Sequence, residues 1–130
     1  MLRFNIQRLK KEDHKRALNL LKQLWPEKRL KTSMLSRGKA LVVKKGKRVV
    51  GLSLLKVQFN MMGRLQALVV DRKFRRKGVG KKLLRKTVQT AKNHSCKFVF
   101  LLSNYKRTTA HRFYKSNNFK KLGCLFYLKL

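Results

Sequence analysis

The stretch from Arg64 to Ser103 restricts the fold of this chain more than any other part of the sequence. It begins with RLQALVVD, whose end is too apolar for a strand with a solvated face. From Val79 to about His94, apolar residues recur at helical spacing opposite a lysine-rich face. KFVFLLS then predicts another buried strand. This succession of strand, helix and strand predicts parallel pairing through a right-handed crossover.

The residues before this unit predict one strand, two helices and a hairpin. Alternating polarity over residues 2–9 predicts the first strand, and helical spacing before Pro26 predicts the first helix. Residues 27–36 have a weaker helical pattern, which predicts a short second helix. KALVVKK and KRVVGLSLLKVQF then flank a turn at Lys45 and Gly46, as expected for a β-hairpin.

The residues after this unit predict a last helix over residues 108–117 and a closing hairpin formed by FKKLG and CLFYLKL. We therefore expect one mixed α/β domain over residues 1–130. Its central sheet is expected to be mostly antiparallel, with parallel pairing of the fourth and fifth strands and about four flanking helices.

Positive charge dominates the composition. The chain has 36 Lys and Arg against 4 Asp and Glu, a formal net charge of +32. Its hydrophobic content of 43% is too high for a disordered polycation, so we expect a folded domain with a cationic surface. Such a surface attracts nucleic acids in a salt-dependent way, but no zinc-finger, RNP-type or basic-zipper motif indicates a dedicated nucleic-acid reader.

The remaining composition predicts a cytoplasmic protein. No apolar stretch approaches the roughly 20 residues that span a bilayer, and the N-terminal residues lack the pattern of a signal peptide. Cys96 and Cys124 belong to no CxxC motif or Cys/His cluster. We interpret both as small buried apolar residues, and we expect no metal site.

The loop at residues 75–80, RRKGVG, fits the pattern R-x-x-G-x-G. Glycines let a backbone approach a ligand, and amides at a helix N-terminus attract anions, so this loop suits a diphosphate. Leu83 excludes the dinucleotide-binding pattern G-x-G-x-x-G, and Arg75 excludes a P-loop. A plain tight turn remains the alternative interpretation of the two glycines.

Two segments of the chain resemble the GNAT superfamily of acetyl-CoA-dependent N-acetyltransferases. ALVVDRKFRRKGVGKKLL is similar to the family's acyl-CoA loop, and AHRFYKSNNF to its Ala-x-x-x-Tyr-x-x-x-Gly-Phe helix end. The order of the predicted elements agrees along essentially the whole chain. The resemblance implies an enzyme that transfers acetyl from acetyl-CoA to a primary amine by direct attack, without a covalent enzyme intermediate.

The resemblance also implies a set of site residues. Backbone groups at the end of the fourth strand would meet the pantetheine arm and the acetyl carbonyl: Leu68, Val69 and Val70. Backbone amides of the loop and the helix start would hold the diphosphate: Arg75, Arg76, Lys77, Gly78, Val79, Gly80 and Lys81. Arg107 would add to the CoA contact, and the phenol of Tyr114 would reach the CoA sulfur as a general acid.

Several residues depart from the family's pattern. Gln66 stands where many relatives carry a carboxylate base, and an amide accepts no proton at neutral pH. Asp71 is the one acid near the site, where we expect it to shape the loop, so the base is missing or lies elsewhere. Arg76 adds bulk at a position that is often glycine. Asn118 replaces a glycine but tolerates the left-handed conformation, and we interpret His111 as structural.

The sequence leaves the acceptor amine open. A polycationic acceptor would be repelled, whereas a small or anionic amine, or an amine on a protein bound to nucleic acid, is easier to accommodate. The oligomeric state, a dimer included, is also open. One alternative function is a weak or inactive GNAT-fold protein whose surface binds nucleic acid non-specifically. Another is a stable but inactive GNAT scaffold whose surface has drifted or been engineered to high charge.

Overall fold

The computed structural model describes residues 4–36, 38–59, 61–104 and 106–130. These residues form a mixed α/β fold in which helices cover both faces of one sheet. The strands are β1 (Asn5–Arg8), β2 (Lys39–Lys45), β3 (Arg48–Gln58), β4 (Met62–Val70), β5 (Phe98–Leu102), β6 (Lys120–Leu122) and β7 (Leu125–Lys129). The helices are α1 (His14–Leu24), α2 (Val79–Asn93) and α3 (Thr108–Ser116). Short 3-10 turns occur at Lys11–Asp13, Thr32–Leu35 and Arg72–Phe74.

The sheet has the order β1-β2-β3-β4-β5-β7-β6. Neighbouring strands are antiparallel except β4 and β5, which pair in parallel across the connection that contains α2. The mostly antiparallel sheet and the parallel fourth and fifth strands confirm the predicted fold class. The hairpin of β2 and β3 turns at Gly46, whose φ of +62° suits glycine.

The core lies on both faces of the sheet. On one face, Ala17, Leu20 and Leu21 of α1 pack against apolar residues of β2, β3 and β4. On the other face, Leu83 and Leu84 of α2 pack against the same central strands, and α3 adds further apolar contacts. Because the long central strands are covered on both sides, they need the nearly continuous apolar sequence that the chain provides.

The predicted second helix is wrong in its extent. Residues 27–36 contain only the 3-10 turn at Thr32–Leu35, in which Leu35 is buried. Lys28, Arg29 and Lys31 would lie within one helical turn, where like charges repel, and this offsets the weak apolar spacing. The described residues therefore have three α-helices flanking the sheet rather than four.

Two further expectations have different outcomes. Cys96 is buried as predicted, whereas Cys124 is exposed in the turn between β6 and β7, so its predicted burial is wrong. Leu2, at which the predicted first strand starts, lies outside the described residues. In the described part of the chain, the helices are too short or too polar to cross a membrane.

A buried hydrogen bond ties α2 to the middle of the sheet. The Thr87 hydroxyl donates to the Leu83 carbonyl oxygen at 2.8 Å, so its oxygen accepts from the Ser53 hydroxyl at 2.7 Å. Ser53 and Thr87 are 0% and 1% exposed. This contact fixes α2 against β3, and thereby the position of the helix N-terminus.

We expect Thr87→Val to destabilise the fold by about 1–3 kcal/mol, because it leaves the buried Ser53 hydroxyl without its acceptor. Adding Ser53→Ala removes this unpaired donor. The loss of stability in the double variant should therefore be smaller than the sum of the losses in the two single variants. Urea denaturation of the four proteins measures this coupling. Strictly additive losses would show that the two hydroxyls do not act as a pair.

Candidate active site

The site begins where β4 and β5 separate. Among the described residues, the parallel pairs run from Met62–Phe98 to Arg64–Phe100 and stop there. Both strands continue, β4 to Val70 and β5 to Leu102. The second half of β4 therefore has β3 on one side and an open gap on the other.

A β-bulge in β4 accompanies this separation. Leu55 of β3 is opposite Leu65, but the preceding residue, Leu54, is opposite Ala67, so Gln66 is the extra residue on β4. A bulge bends its strand and increases the local twist. It thus directs the end of β4 away from β5.

Backbone groups at the end of β4 face the gap. The Asp71 amide donates to the Val50 carbonyl at 2.8 Å, which directs the Asp71 amide toward β3. Successive residues of a strand point to opposite sides, so the N–H and C=O of Val70 and Leu68 point toward the gap. Those of Val69 point toward β3 instead, so the structure does not bring the Val69 backbone to the gap as predicted. The Arg75 guanidinium confirms this direction, since its Nε donates to the Val70 carbonyl at 2.9 Å.

The loop after β4 brings a helix N-terminus to the same gap. Gly78, with a φ of +78°, precedes α2 and provides no side chain to cap it. The Lys82 amide donates to the Gly78 carbonyl, so the amides of residues 79–81 precede the first helical bond and point out of the helix. Asp71 shapes the loop as expected, because its carboxylate accepts from the Lys73 amide at 3.1 Å.

A cavity of about 780 Å³ lies between the end of β4, this loop and α3. All of the predicted site residues line it except Lys77 and Val79. The lining members are Leu68, Val69, Val70, Arg75, Arg76, Gly78, Gly80, Lys81, Arg107 and Tyr114. Lys77 is exposed and Val79 is 3% exposed in the core, and the prediction for both concerned their backbone amides. The cavity is cationic on the loop side and apolar along β4.

Tyr114 of α3 lies in the wall of this cavity and is 6% exposed. Its ring packs edge-on against Phe113 and Phe119, at centroid distances of 5.4 and 5.6 Å. Burial raises the pKa of the Tyr114 phenol to about 12, and the nearby Arg107 charge offsets part of that rise. The phenol is therefore fully protonated at neutral pH and available as a donor.

The end of α3 follows the predicted geometry. Asn118 has a φ of +70°, and the Phe119 amide donates to the Tyr114 carbonyl at 3.0 Å, which closes the helix. His111 is buried with its ring 4.7 Å from that of Phe126 and does not line the cavity. Its placement fits a structural role.

Several residues of the cavity wall were not among those predicted from the sequence. They are Leu24 of α1 and, in and just before α3, Lys106, Thr108, Thr109, Ala110, Phe113, Ser116 and Asn117. Helical spacing could have found part of this set, because Ala110 and Asn117 lie four residues before and three residues after Tyr114. Leu24 gave no such signal, since it reaches the cavity from a distant part of the chain.

A second, smaller cavity of about 210 Å³ is lined by residues that neighbour those of the first cavity along the chain. It is lined by Arg64 and Gln66 of β4, next to the segment 68–70 that lines the first cavity. Trp25, just after α1, and Lys28 also line the second cavity. Leu24, the residue before Trp25, lines the first cavity. No carboxylate or imidazole of the described residues lines either cavity.

The sequence matches the family model of the acetyltransferase (GNAT) family over residues 6–119. The chain belongs to the GNAT family. The match covers most of the chain and includes both segments on which the resemblance rested. A comparison with curated protein sequences finds no significant match.

Solved structures have the same fold as this GNAT chain. A GNAT-family acetyltransferase from Staphylococcus aureus Mu50 superposes with a TM-score of 0.83 at 22% identity, over 98% of this chain and 99% of that one. A GNAT acetyltransferase from Elizabethkingia anophelis with acetyl-CoA bound gives 0.82 at 18%, over 98% of each chain. The PaiA N-acetyltransferase from Thermoplasma acidophilum, in complex with coenzyme A, gives 0.84 at 17%, over 99% and 100%.

We expect Gly78→Ala to destabilise the GNAT domain by about 1–2 kcal/mol, because its positive φ strains any residue with a Cβ. An added Cβ at Gly78 would meet no atom within 4 Å, so the cost comes from the backbone alone. Chemical denaturation measures it.

Gly80→Ala is the matched control. Gly80 is helical, and an added Cβ would meet Phe113 and Val70 only at 3.6 Å, an ordinary contact distance. Alanine also has the higher helix propensity, so this variant should keep or gain stability. Equal losses in the two variants would contradict the assignment of the cost to the Gly78 backbone.

Proposed function

We propose that this protein transfers the acetyl group of acetyl-CoA to a primary amine. The observation that carries the proposal is the cavity of about 780 Å³ at the separated ends of β4 and β5, bordered by the α2 N-terminus and by Tyr114. The family membership and the CoA-bound neighbours of the same fold support it.

The residues around the cavity fit acetyl-CoA. The outward amides of residues 79–81 provide donors for a diphosphate, and the basic side chains of Arg75, Arg76 and Lys81 add charge beside them. The open backbone N–H and C=O of Leu68 can pair with the amides of a pantetheine arm, in place of the absent strand contact, whereas the Val70 carbonyl already accepts from Arg75. In the proposed complex the Val70 amide donates to the acetyl carbonyl oxygen.

Acetyl-CoA supplies the thioester. At its carbonyl carbon the bond to nitrogen forms and the bond to sulfur breaks. The proton that nitrogen loses ends on the sulfur, so the products are an amide and free CoA. Tyr114 acts at the sulfur end of this exchange. Because a thiol has a pKa of about 8.5, the phenol at about 12 is the weaker acid. In this proposal Tyr114 therefore keeps its proton and donates a hydrogen bond to the departing sulfur, rather than transferring its proton as the general acid that the resemblance implies.

The amine must arrive neutral, since no carboxylate or imidazole of the described residues lines the two cavities. The surrounding cations provide a physical route to this state. Positive charge near an amine disfavours its protonated form and lowers its pKa. The cations that line the two cavities lower the pKa of the amine in this way, among them Arg64, Lys28 and Arg107.

Calorimetry with acetyl-CoA tests the proposal, with ATP as a control that shares the phosphate chemistry. At about 0.3 M salt, where loose polyanion attraction is screened, we expect acetyl-CoA to bind at least about tenfold more tightly than ATP. Equal and weak binding of both would overturn the proposal. Salt-sensitive DNA binding without acetyl-CoA affinity would then support the non-specific nucleic-acid alternative.

We expect Tyr114→Phe to lower turnover by about tenfold or more while acetyl-CoA affinity changes by less than about twofold. The reason is that the phenol contributes to charge that develops at sulfur and not to binding. Tyr127→Phe is the matched control, because Tyr127 lies on β7 and lines neither cavity.

The pH profile gives a second check on Tyr114. With a pKa of about 12, the phenol stays protonated through pH 10, so the ratio of wild-type to Tyr114→Phe turnover should be constant from pH 7 to about pH 10. A ratio that falls toward one in this interval would show that Tyr114 ionises within it. Equal turnover of the two proteins at every pH would remove Tyr114 from the mechanism.

A further inference from the structure

The second cavity has the position of an acceptor site, given the proposed function. Gln66, the bulge residue of β4, lines it, and Leu68 just beyond lines the first cavity. At the end of α1 the consecutive residues Leu24 and Trp25 line the first and the second cavity. Its volume of about 210 Å³ is below the roughly 300–1,000 Å³ of sites for drug-sized ligands. A small molecule, or a small substituent, therefore fits it.

The charged residues of this cavity are all cationic. Arg64 is half-buried on β4, and Lys28 is exposed at the rim with its Nζ 4.4 Å from the centroid of the Trp25 ring. The ion pairs formed among the described residues both involve Asp13, so neither Arg64 nor Lys28 has a carboxylate partner there. Leu54, Leu65 and Leu102 complete an apolar wall.

This combination is chemically selective. A guanidinium binds carboxylate and phosphate groups through two parallel hydrogen bonds, and a partly buried one gains more from the pair than an exposed one. A second cation would be repelled, and a neutral hydroxyl would gain little. A polar opening with two cations above an apolar wall fits a short chain that carries an anion.

We propose that the acceptor is a small primary amine that carries a carboxylate or phosphate group, bound in the second cavity by Arg64 and Lys28. This inference rests on the proposed acetyl transfer, and it specifies the substrate class that the transfer uses. Arg64 and Lys28 hold the anionic group, and the neutral amine end reaches toward the first cavity past Gln66.

Matched amines on one three-carbon skeleton test this selectivity. The probes are 3-aminopropanoate, 3-aminopropyl phosphate, the neutral 3-aminopropanol and the cationic 1,3-diaminopropane, in about 0.3 M salt to screen general attraction. Trp25 is the one tryptophan of the chain and lines the cavity, so its fluorescence reports binding independently of catalysis. Acetyl transfer to each amine is measured in parallel.

We expect at least one of the two anionic amines to bind about tenfold or more tightly than the neutral one, and the diamine to bind most weakly. The better of the two anions distinguishes a carboxylate from a phosphate acceptor. Tighter binding of the neutral or cationic amine, with acetyl-CoA bound, would overturn the inference and leave the proposed transfer standing. Failure of acetyl-CoA itself to bind would instead remove the proposed transfer.

Two variants assign the selectivity to the cavity. Arg64→Gln should reduce the preference for the anionic amine to within about twofold, and Arg64→Lys should restore part of it. Arg85→Gln is the control, because Arg85 is exposed on α2 and lines neither cavity. Its replacement changes the net charge by the same amount as Arg64→Gln. Equal effects of Arg64→Gln and Arg85→Gln would show that overall charge, and not the cavity, selects the amine.

Lys28→Gln gives a second route, since an exposed side chain can be replaced without disturbing β4. It should weaken binding of the anionic amine and leave binding of the neutral amine unchanged. No change for either amine, combined with no effect of Arg64→Gln in a protein that melts like the wild type, would overturn the inference.

Discussion

The separation of β4 from β5 is the constraint on which the functional part of the molecule depends. Parallel pairing ends at Arg64 and Phe100, and the bulge at Gln66 turns the rest of β4 away. The backbone groups of Leu68 and the Val70 amide then lack a strand partner, whereas the Val70 carbonyl accepts from Arg75. Unpaired polar groups favour a ligand that can pair with them. The gap also places the α2 N-terminus opposite α3. The cavity is thus a consequence of strand pairing, and the side chains around it determine only which ligands it accepts.

The net charge of +32 is accommodated with little ion pairing among the described residues. With four acids in the chain, few cations can have a carboxylate partner, and Asp13, which is 1% exposed, receives Lys44 at 3.2 and 3.3 Å. The other cations that the structure describes lie mainly at exposed positions, where water and salt screen them. Stability must therefore come from the apolar core on both faces of the sheet, because self-repulsion among the surface charges opposes folding.

The sequence predicts the elements around the site better than the cavities between them. Strand β4, its glycine loop and α2 follow from periodicity and residue types that are local along the chain, and the resemblance to the GNAT family implies the place of Tyr114. The bulge at Gln66 was not predictable, because it depends on the register of β4 against β3. The second cavity was missed for a similar reason, since Trp25 and Arg64 are distant in sequence. The short helix expected over residues 27–36 does not form, because repulsion between like charges outweighs the weak apolar pattern.

The missing base and the excess of cations have a common explanation within the proposed reaction. A carboxylate at position 66 would raise the pKa of a nearby amine and then have to accept its proton. Gln66 does neither, and the cations of the two cavities act in the opposite sense, because they disfavour an ammonium group. For an amine that is mostly protonated, each unit by which its pKa falls raises the neutral fraction about tenfold. An acceptor that carries its own anion can enter such a site, since Arg64 and Lys28 bind the anion while the amine reaches toward Arg107 in the first cavity. The charge that excludes polycationic acceptors therefore also prepares the nucleophile.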